Sequence, residues 1–395
     1  MSSKERHENR FRRRKAARER KKAARAAEIA NIEKSMSFGK MLKWGWACCS
    51  GTSWKSSTQS FRLGIIASTA RQHKSVMQGK INSKGFICFD RMERGKLRHI
   101  KSVHITERQI RKTFNQEIAV PLIRPHLIYD NHASLKGRGT DRALDRLNCH
   151  LDRYFRKNGN KGYILIFDFT DYFGSVKHDE VYRIYNEYIR DPRAVQLGTQ
   201  IMELNGPVGF GLGCEMSQTC CVAIPNRLDH FIKQDLGVKG YGRYMDDGYI
   251  LEPSLERVKA IMAAVIEKCH QLGIQINERK TKIMPVKSFT WLKTRFILTD
   301  TGKIIRKMSR KSITTQQRKL KKFKAWVELG HNPKYPNKPF TLEKARASYI
   351  SWRGHKERGN CHKVLKRMDR YFTELFGVPP KEGMKLCTKS SKTKK

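Results

Sequence analysis

Residues Gly240 to Pro253 read GYGRYMDDGYILEP, and the fold turns on how this run is interpreted. Two β-type runs rich in Tyr and Ile flank the adjacent acids Asp246 and Asp247, with Gly248 directly after them. The pattern predicts a hairpin whose tip carries both carboxylates. Neighbouring carboxylates repel each other, and charge beside apolar strands is costly unless something pairs with it. A DD pair in a turn is, by itself, more often a solvated Asx cap than a site. A third acid changes the weighing: YILIFDF, Tyr163 to Phe169, is a nearly continuous apolar run of strand length, and Asp168 lies at its end. A divalent cation would remove both penalties, and Mg²⁺ is commonly held by one or two carboxylates together with substrate phosphates.

The composition supplies a partner for such a site. Among 395 residues, 82 Lys and Arg face 36 Asp and Glu, a formal charge of +46. A chain so basic binds polyanions by releasing their counterions, which points to nucleic acid. Its length allows two or three domains. No apolar run approaches the ~18 residues of a membrane span, and the charged N-terminus has no apolar segment behind it, so neither a membrane partner nor a signal peptide is expected. The 10 cysteines form no CxxC pair and read as reduced thiols of a cytoplasmic protein. Cys149-His150, Cys269-His270 and Cys361-His362 offer a zinc set on paper, but adjacent ligands rarely reach one metal, so ordinary burial is the expectation.

Between Met1 and Arg25 twelve basic residues stand among alanines and three Glu. With no apolar face to bury, residues 1–35 are expected to be an arm that is disordered, or helical only against RNA or a partner. The Lys-rich tail 381–395 reads the same way. A strand pair is expected in GFICFDRMERGKLRHIKSV, turning near Arg94-Gly95, with helices from about Glu107 to Ile118 and Thr140 to Arg156. KSITTQQRKLKKFKAWVELG, Lys311 to Gly330, sets Leu320, Phe323 and Val327 at helical spacing, and a second helix runs from about Cys361 to Phe376.

Taken together, the ordered blocks resemble reverse transcriptases, specifically bacterial stand-alone enzymes of the diversity-generating or phage-defence type. FDFTDYFGSV resembles the first palm motif, GLGCEMSQ (211–218) the Gly-x-x-x-Ser block beneath the templating base, and YMDD the paired acids. INERKTKI (276–283) resembles the following Lys-bearing motif and SFTWLKTRF (288–296) the primer-grip hairpin. The resemblance implies an α+β right-hand polymerase fold: N-terminal helices and fingers over 36–160, palm and primer grip over 161–300, and a helical thumb over 301–380. It implies catalysis at Asp168, Asp246 and Asp247 with two Mg²⁺ ions, Mn²⁺ substituting, acting on a 3′-hydroxyl and a leaving pyrophosphate.

Further roles follow from the resemblance. Phe173 would exclude a ribose 2′-hydroxyl, or be plain core. Asp171 and Tyr172 would lend backbone amides to the triphosphate of a dNTP. Lys96 and Arg98, on one face of a strand, would clamp that triphosphate. Leu212, Gly213, Ser217 and Gln218 would bound the nucleotide, and Lys280 would neutralise pyrophosphate. Lys136 and Arg138 in ASLKGRGTDRAL would meet the template, with Trp291, Lys293, Lys319 and Lys322 along the RNA-DNA hybrid. Leu212-Gly213 and Ser217-Gln218 stand where retroviral enzymes have Gln-Gly and Ser-Pro, and an apolar residue there would loosen base selection. No RNase H, endonuclease or maturase segment is expected. The implied partners are a structured noncoding RNA template and an accessory protein. Phage defence and diversity generation stay open, as do an RNA-primed RNA polymerase and a non-catalytic RNA-binding protein on the same fold.

Overall fold

The structure, a computed structural model, describes residues 3–93, 96–206, 208–210, 214–354, 357 and 359–381. The chain forms two compact units, Met1–Leu147 with Leu165–Ile250 and Glu256–Lys282, and Asn148–Ile164 with Leu251–Leu255 and Ile283–Lys395.

In the first unit, the helices Phe38–Cys49, Ile65–Met77 and Ile105–Phe114 meet around the buried amide of Gln109. Its Nε2 donates to Met41 O and to Thr69 Oγ1, each at 2.8 Å. Gly45 makes room for it, since a Cβ there would stand 2.6 Å from that nitrogen. The expected strand pair is present as Phe86–Glu93 against Lys96–Val103, antiparallel with Arg91 opposite Arg98; its turn at residues 94–95 lies outside the described residues. The helix expected from Glu107 runs Ile105–Phe114 and loosens into a π-turn, Asn115–Ala119.

A four-stranded sheet runs in the order Gly240–Tyr244, Asp247–Glu252, Tyr163–Phe167, Lys282–Pro285. Ile164, Leu165, Tyr241, Tyr249 and Ile250 are all buried, which accounts for the unbroken apolar runs in the sequence.

The second unit carries the antiparallel sheet Ser288–Trp291, Thr294–Leu298 and Ile304–Met308. Three helices follow, Arg310–Glu328, Leu342–Gly354 and His362–Phe376, around Leu320, Phe323, Tyr349, Met368 and Phe372. Two were expected; the middle helix adds Ala345 and Tyr349 to their core.

The arm expected to be disordered, or helical only against RNA or a partner, is helical in the structure. Ser3–Ala30 is an α-helix, followed by the turn Ile32–Ser35, which Asn31 caps by accepting from Lys34 N at 2.9 Å. Ile32 and Met36 are buried, and Ile32 N donates to Asp191 Oδ2 at 3.1 Å. Alanine, arginine, lysine and glutamate are strong helix formers, and the pair Glu8–Arg12 one turn apart adds to them, so the absence of an apolar face did not preclude a helix. The tail from residue 382 onward lies outside the described residues. Among the described residues no helix is long and apolar enough to cross a membrane.

Candidate active site

Asp168 follows the end of strand Tyr163–Phe167 and is 5% exposed. Its carbonyl accepts from Asn277 N at 2.7 Å, and Thr170 N donates to Gln275 O at 2.8 Å, so residues 275–277 zip along the acid's flank. The turn after Asn277 brings Lys280 Nζ into an ion pair with Asp168 Oδ2. Hydrogen bonding to Asp168 holds the Lys280 ammonium above its ordinary pKa.

Asp246 lies in the turn between Gly240–Tyr244 and Asp247–Glu252, and Asp247 opens the second strand, so both acids sit at the end of a hairpin as the sequence pattern predicted. Carboxylate oxygens of Asp168, Asp246 and Asp247 all lie within 4.8 Å of one another. Burial, and then the charge of Asp168, push the Asp246 carboxyl above its usual range. Gly248 is dictated by packing, because a Cβ there would stand 2.2 Å from Phe167 Cζ. Three oxygen donors with no thiol or imidazole among them suit a hard divalent cation, and the Lys280 ammonium supplies positive charge at the same carboxylates. The cysteine-histidine pairs form no such group: among the described residues the three aspartates are the only cluster of potential metal ligands.

This geometry agrees with what the chain matches in sequence. The reverse transcriptase (RNA-dependent DNA polymerase) family matches residues 80–296, more than half of the chain. The chain belongs to the reverse transcriptase family. Its architecture is accordingly that of the right-hand polymerases, with mixed helices and antiparallel sheet. No curated protein matches it in sequence. Among solved structures it is similar to telomerase from Candida albicans in complex with a fragment of telomeric RNA, at 12% identity and TM-score 0.44, covering 78% of this chain and 59% of that one. It is also similar to apo telomerase from Candida tropicalis truncated from the C-terminal domain, at 12% identity and TM-score 0.44, covering 56% and 55%. The chain spans less than two thirds of either telomerase chain.

The other residues expected at a reverse transcriptase site fall in varied settings. Asp171 has a left-handed backbone, φ 38°, and its carbonyl accepts from Gly174 N at 2.9 Å. The Tyr172 side chain is buried, with its hydroxyl donating to Cys221 O at 2.7 Å, which leaves only its backbone for a ligand. Phe173 is half-buried, its carbonyl accepting from Phe210 N at 2.7 Å. On helix Glu215–Ala223, Ser217 is buried and Gln218 exposed; Leu212 and Gly213 lie outside the described residues. Arg98 is half-buried on its strand, and Lys96 begins that strand.

Lys136 is exposed, whereas Arg138 Nη1 donates to the carbonyls of Asn131 and, at 3.2 Å, Ile128. That guanidinium holds its own loop. In the second unit Trp291 is 2% exposed, while Lys293 is exposed at the turn with φ 62°. Lys322 is exposed, and Lys319 is exposed with Nζ 2.8 Å from Ser348 Oγ.

One pair at the site has no counterpart among the residues expected from the sequence. Arg243 and Asp229 are both wholly buried and joined in a two-pronged ion pair, Nε to Oδ1 at 2.8 Å and Nη2 to Oδ2 at 2.7 Å. The signal was a lone charged residue in GYGRY, a strand whose Tyr241 and Gly242 are also buried.

Proposed function

We propose that this reverse transcriptase copies a dedicated, structured noncoding RNA into cDNA by two-metal nucleotidyl transfer, as part of a bacterial defence against phage. The observation that carries the polymerase reading is the convergence of Asp168, Asp246 and Asp247 within 4.8 Å. Two Mg²⁺ ions, or Mn²⁺ in their place, would supply charge for activating the primer 3′-hydroxyl and stabilising pyrophosphate.

The chain's own residues account for binding and orientation. Asp168, Asp246 and Asp247 would hold the ions, and Lys280 would keep charge balance at Asp168 as they come and go. Phe173 would stand against the sugar of the incoming dNTP and discriminate against a 2′-hydroxyl. Lys96 and Arg98 would meet its phosphates, and Gln218 the nascent base pair. Lys136, Lys293, Lys319 and Lys322 would follow the RNA template and the RNA-DNA hybrid. A charge of +46 supports binding of a folded RNA through its phosphates and shape. The defence role rests on the Leu-Gly-x-x-x-Ser-Gln form of residues 212–218.

The test is to isolate the protein from cells, sequence the RNA and cDNA that accompany it, and repeat this with Asp246→Ala/Asp247→Ala. Accompanying RNA should persist in the variant and cDNA should vanish; equal cDNA from both would overturn the enzyme reading. Cells carrying the wild type should resist phage and cells carrying the variant should not. The same Leu212 motif also favours diversification, which would show as cDNA scattered with substitutions and no phage resistance.

A further inference from the structure

The wholly buried Arg243 makes more bonds than its ion pair requires. Beyond Asp229, its Nη2 donates to Val222 O at 3.0 Å and its Nη1 to Met245 O at 2.6 Å. Met245 has φ 57°, a left-handed backbone that a side chain without β-polar groups rarely adopts, and it immediately precedes Asp246. Val222 lies in the last turn of Glu215–Ala223, where helix carbonyls lack partners within the helix, and that helix carries Ser217 and Gln218. The neighbouring carbonyl, Cys221 O, is taken by the Tyr172 hydroxyl at 2.7 Å. Asp229 is fixed in turn by the Tyr241 hydroxyl at 2.5 Å. The Arg243 main chain is held on both sides: its N–H donates to Asp130 O and its carbonyl accepts from His132 N, each at 3.0 Å.

We infer that Arg243 is a positioning residue for nucleotidyl transfer: its guanidinium, braced by Asp229, pins the Met245 carbonyl and so sets the tip on which Asp246 and Asp247 face Asp168. A surface salt bridge would not be built this way. Both charges are fully desolvated, and a fork of fixed geometry reaches two carbonyls that a lysine ammonium could not reach while also pairing with both carboxylate oxygens. The left-handed residue between Tyr244 and Asp246 is strained unless something holds it, and Arg243 donates to the carbonyl of that residue. The inference rests on the polymerase reading of the three aspartates.

Arg243→Lys keeps the charge and removes the fork. In primer extension on a homopolymeric RNA template, kcat should fall on the order of 10²-fold, the cost of misplacing a catalytic group by about an ångström, with the dNTP KM little changed. Mn²⁺ binding to the protein alone, followed by electron paramagnetic resonance, should weaken at least tenfold. Glycine adopts positive φ freely, so Met245→Gly added to Arg243→Lys should recover most of the lost Mn²⁺ affinity. Unchanged Mn²⁺ affinity in Arg243→Lys, or a loss that Met245→Gly does not recover, would overturn the inference. If Arg243→Lys does not fold, Asp229→Asn, which keeps the shape and unbraces the guanidinium, is held to the same two measurements. A wild type that neither binds Mn²⁺ nor extends primers would defeat the polymerase reading instead, so the two failures are distinguishable.

Discussion

A Cβ on residue 248 would stand 2.2 Å from Phe167 Cζ and 2.6 Å from Cε2, inside the ring at the end of the Asp168 strand. The glycine after the two acids therefore belongs to the site's steric design, since it lets the hairpin lie close enough for the three carboxylates to meet. Gly248→Ala should destabilise the chain by about 1–3 kcal/mol, the usual cost of overpacking. It should also depress primer extension more than that loss explains, because the relief available is to push the tip away from Asp168. Urea unfolding and extension rates on the same preparation check both parts; a normal rate at reduced stability would show that the tip does not move. At Phe173 the expected outcome concerns selection. If Phe173 stands against the sugar, Phe173→Ala opens space there, and the ratio of kcat/KM for dNTP over rNTP should narrow by about tenfold or more, the scale of a small steric discrimination. An unchanged ratio would return Phe173 to a packing role.

Among the elements, what the sequence disclosed was governed by where apolar residues sit. The strand Tyr163–Phe167, the hairpin at Asp246-Asp247 and the helix Arg310–Glu328 announce themselves through buried periodicity, and the acids were legible because each abuts such a run. In the helix Ser3–Ala30 every side chain from His7 to Lys21 is exposed, so a search for periodic burial could not find it. Arg243 and Asp229 were hidden for a different reason: an ion pair between a strand and a short helix leaves no periodic trace, and only the folded chain shows that it is closed. The helix Leu342–Gly354 was missed because its core side chains are few, and it is held partly by polar contacts. There the buried Asp369 accepts from the Tyr349 hydroxyl at 2.7 Å and from Arg353 Nε at 2.9 Å, tying Leu342–Gly354 to His362–Phe376. Removing one partner leaves the other charge buried. Asp369→Ala should cost about 3–5 kcal/mol in the second unit, read as a lowered unfolding midpoint in the fluorescence of Trp326 and Trp352. A shift too small to measure would mean that Glu357, which also pairs with Arg353, compensates.

For the whole molecule charge outweighs every other property, because +46 is far more than is needed to neutralise one incoming triphosphate. Each backbone phosphate engaged by a lysine or arginine releases about 0.7–0.9 of a counterion, so affinity for RNA should fall steeply and linearly on logarithmic axes as salt rises. The N-terminal helix can be separated from the catalytic site in this respect. Its basic residues end at Arg25, before the capped turn at Asn31 and the buried Ile32 and Met36, so deletion of residues 3–25 spares the anchor. If that helix neutralises RNA phosphates, the deletion should flatten the salt dependence of binding to a folded RNA by about one unit of slope for each phosphate left without its cation. Extension of a short primer-template at saturating concentration should stay close to wild type, because none of the three aspartates or their supports lies in the deleted segment. An unchanged slope would assign the helix's charge to solvent, and a loss of extension matching the loss of binding would mean that it serves the active site directly.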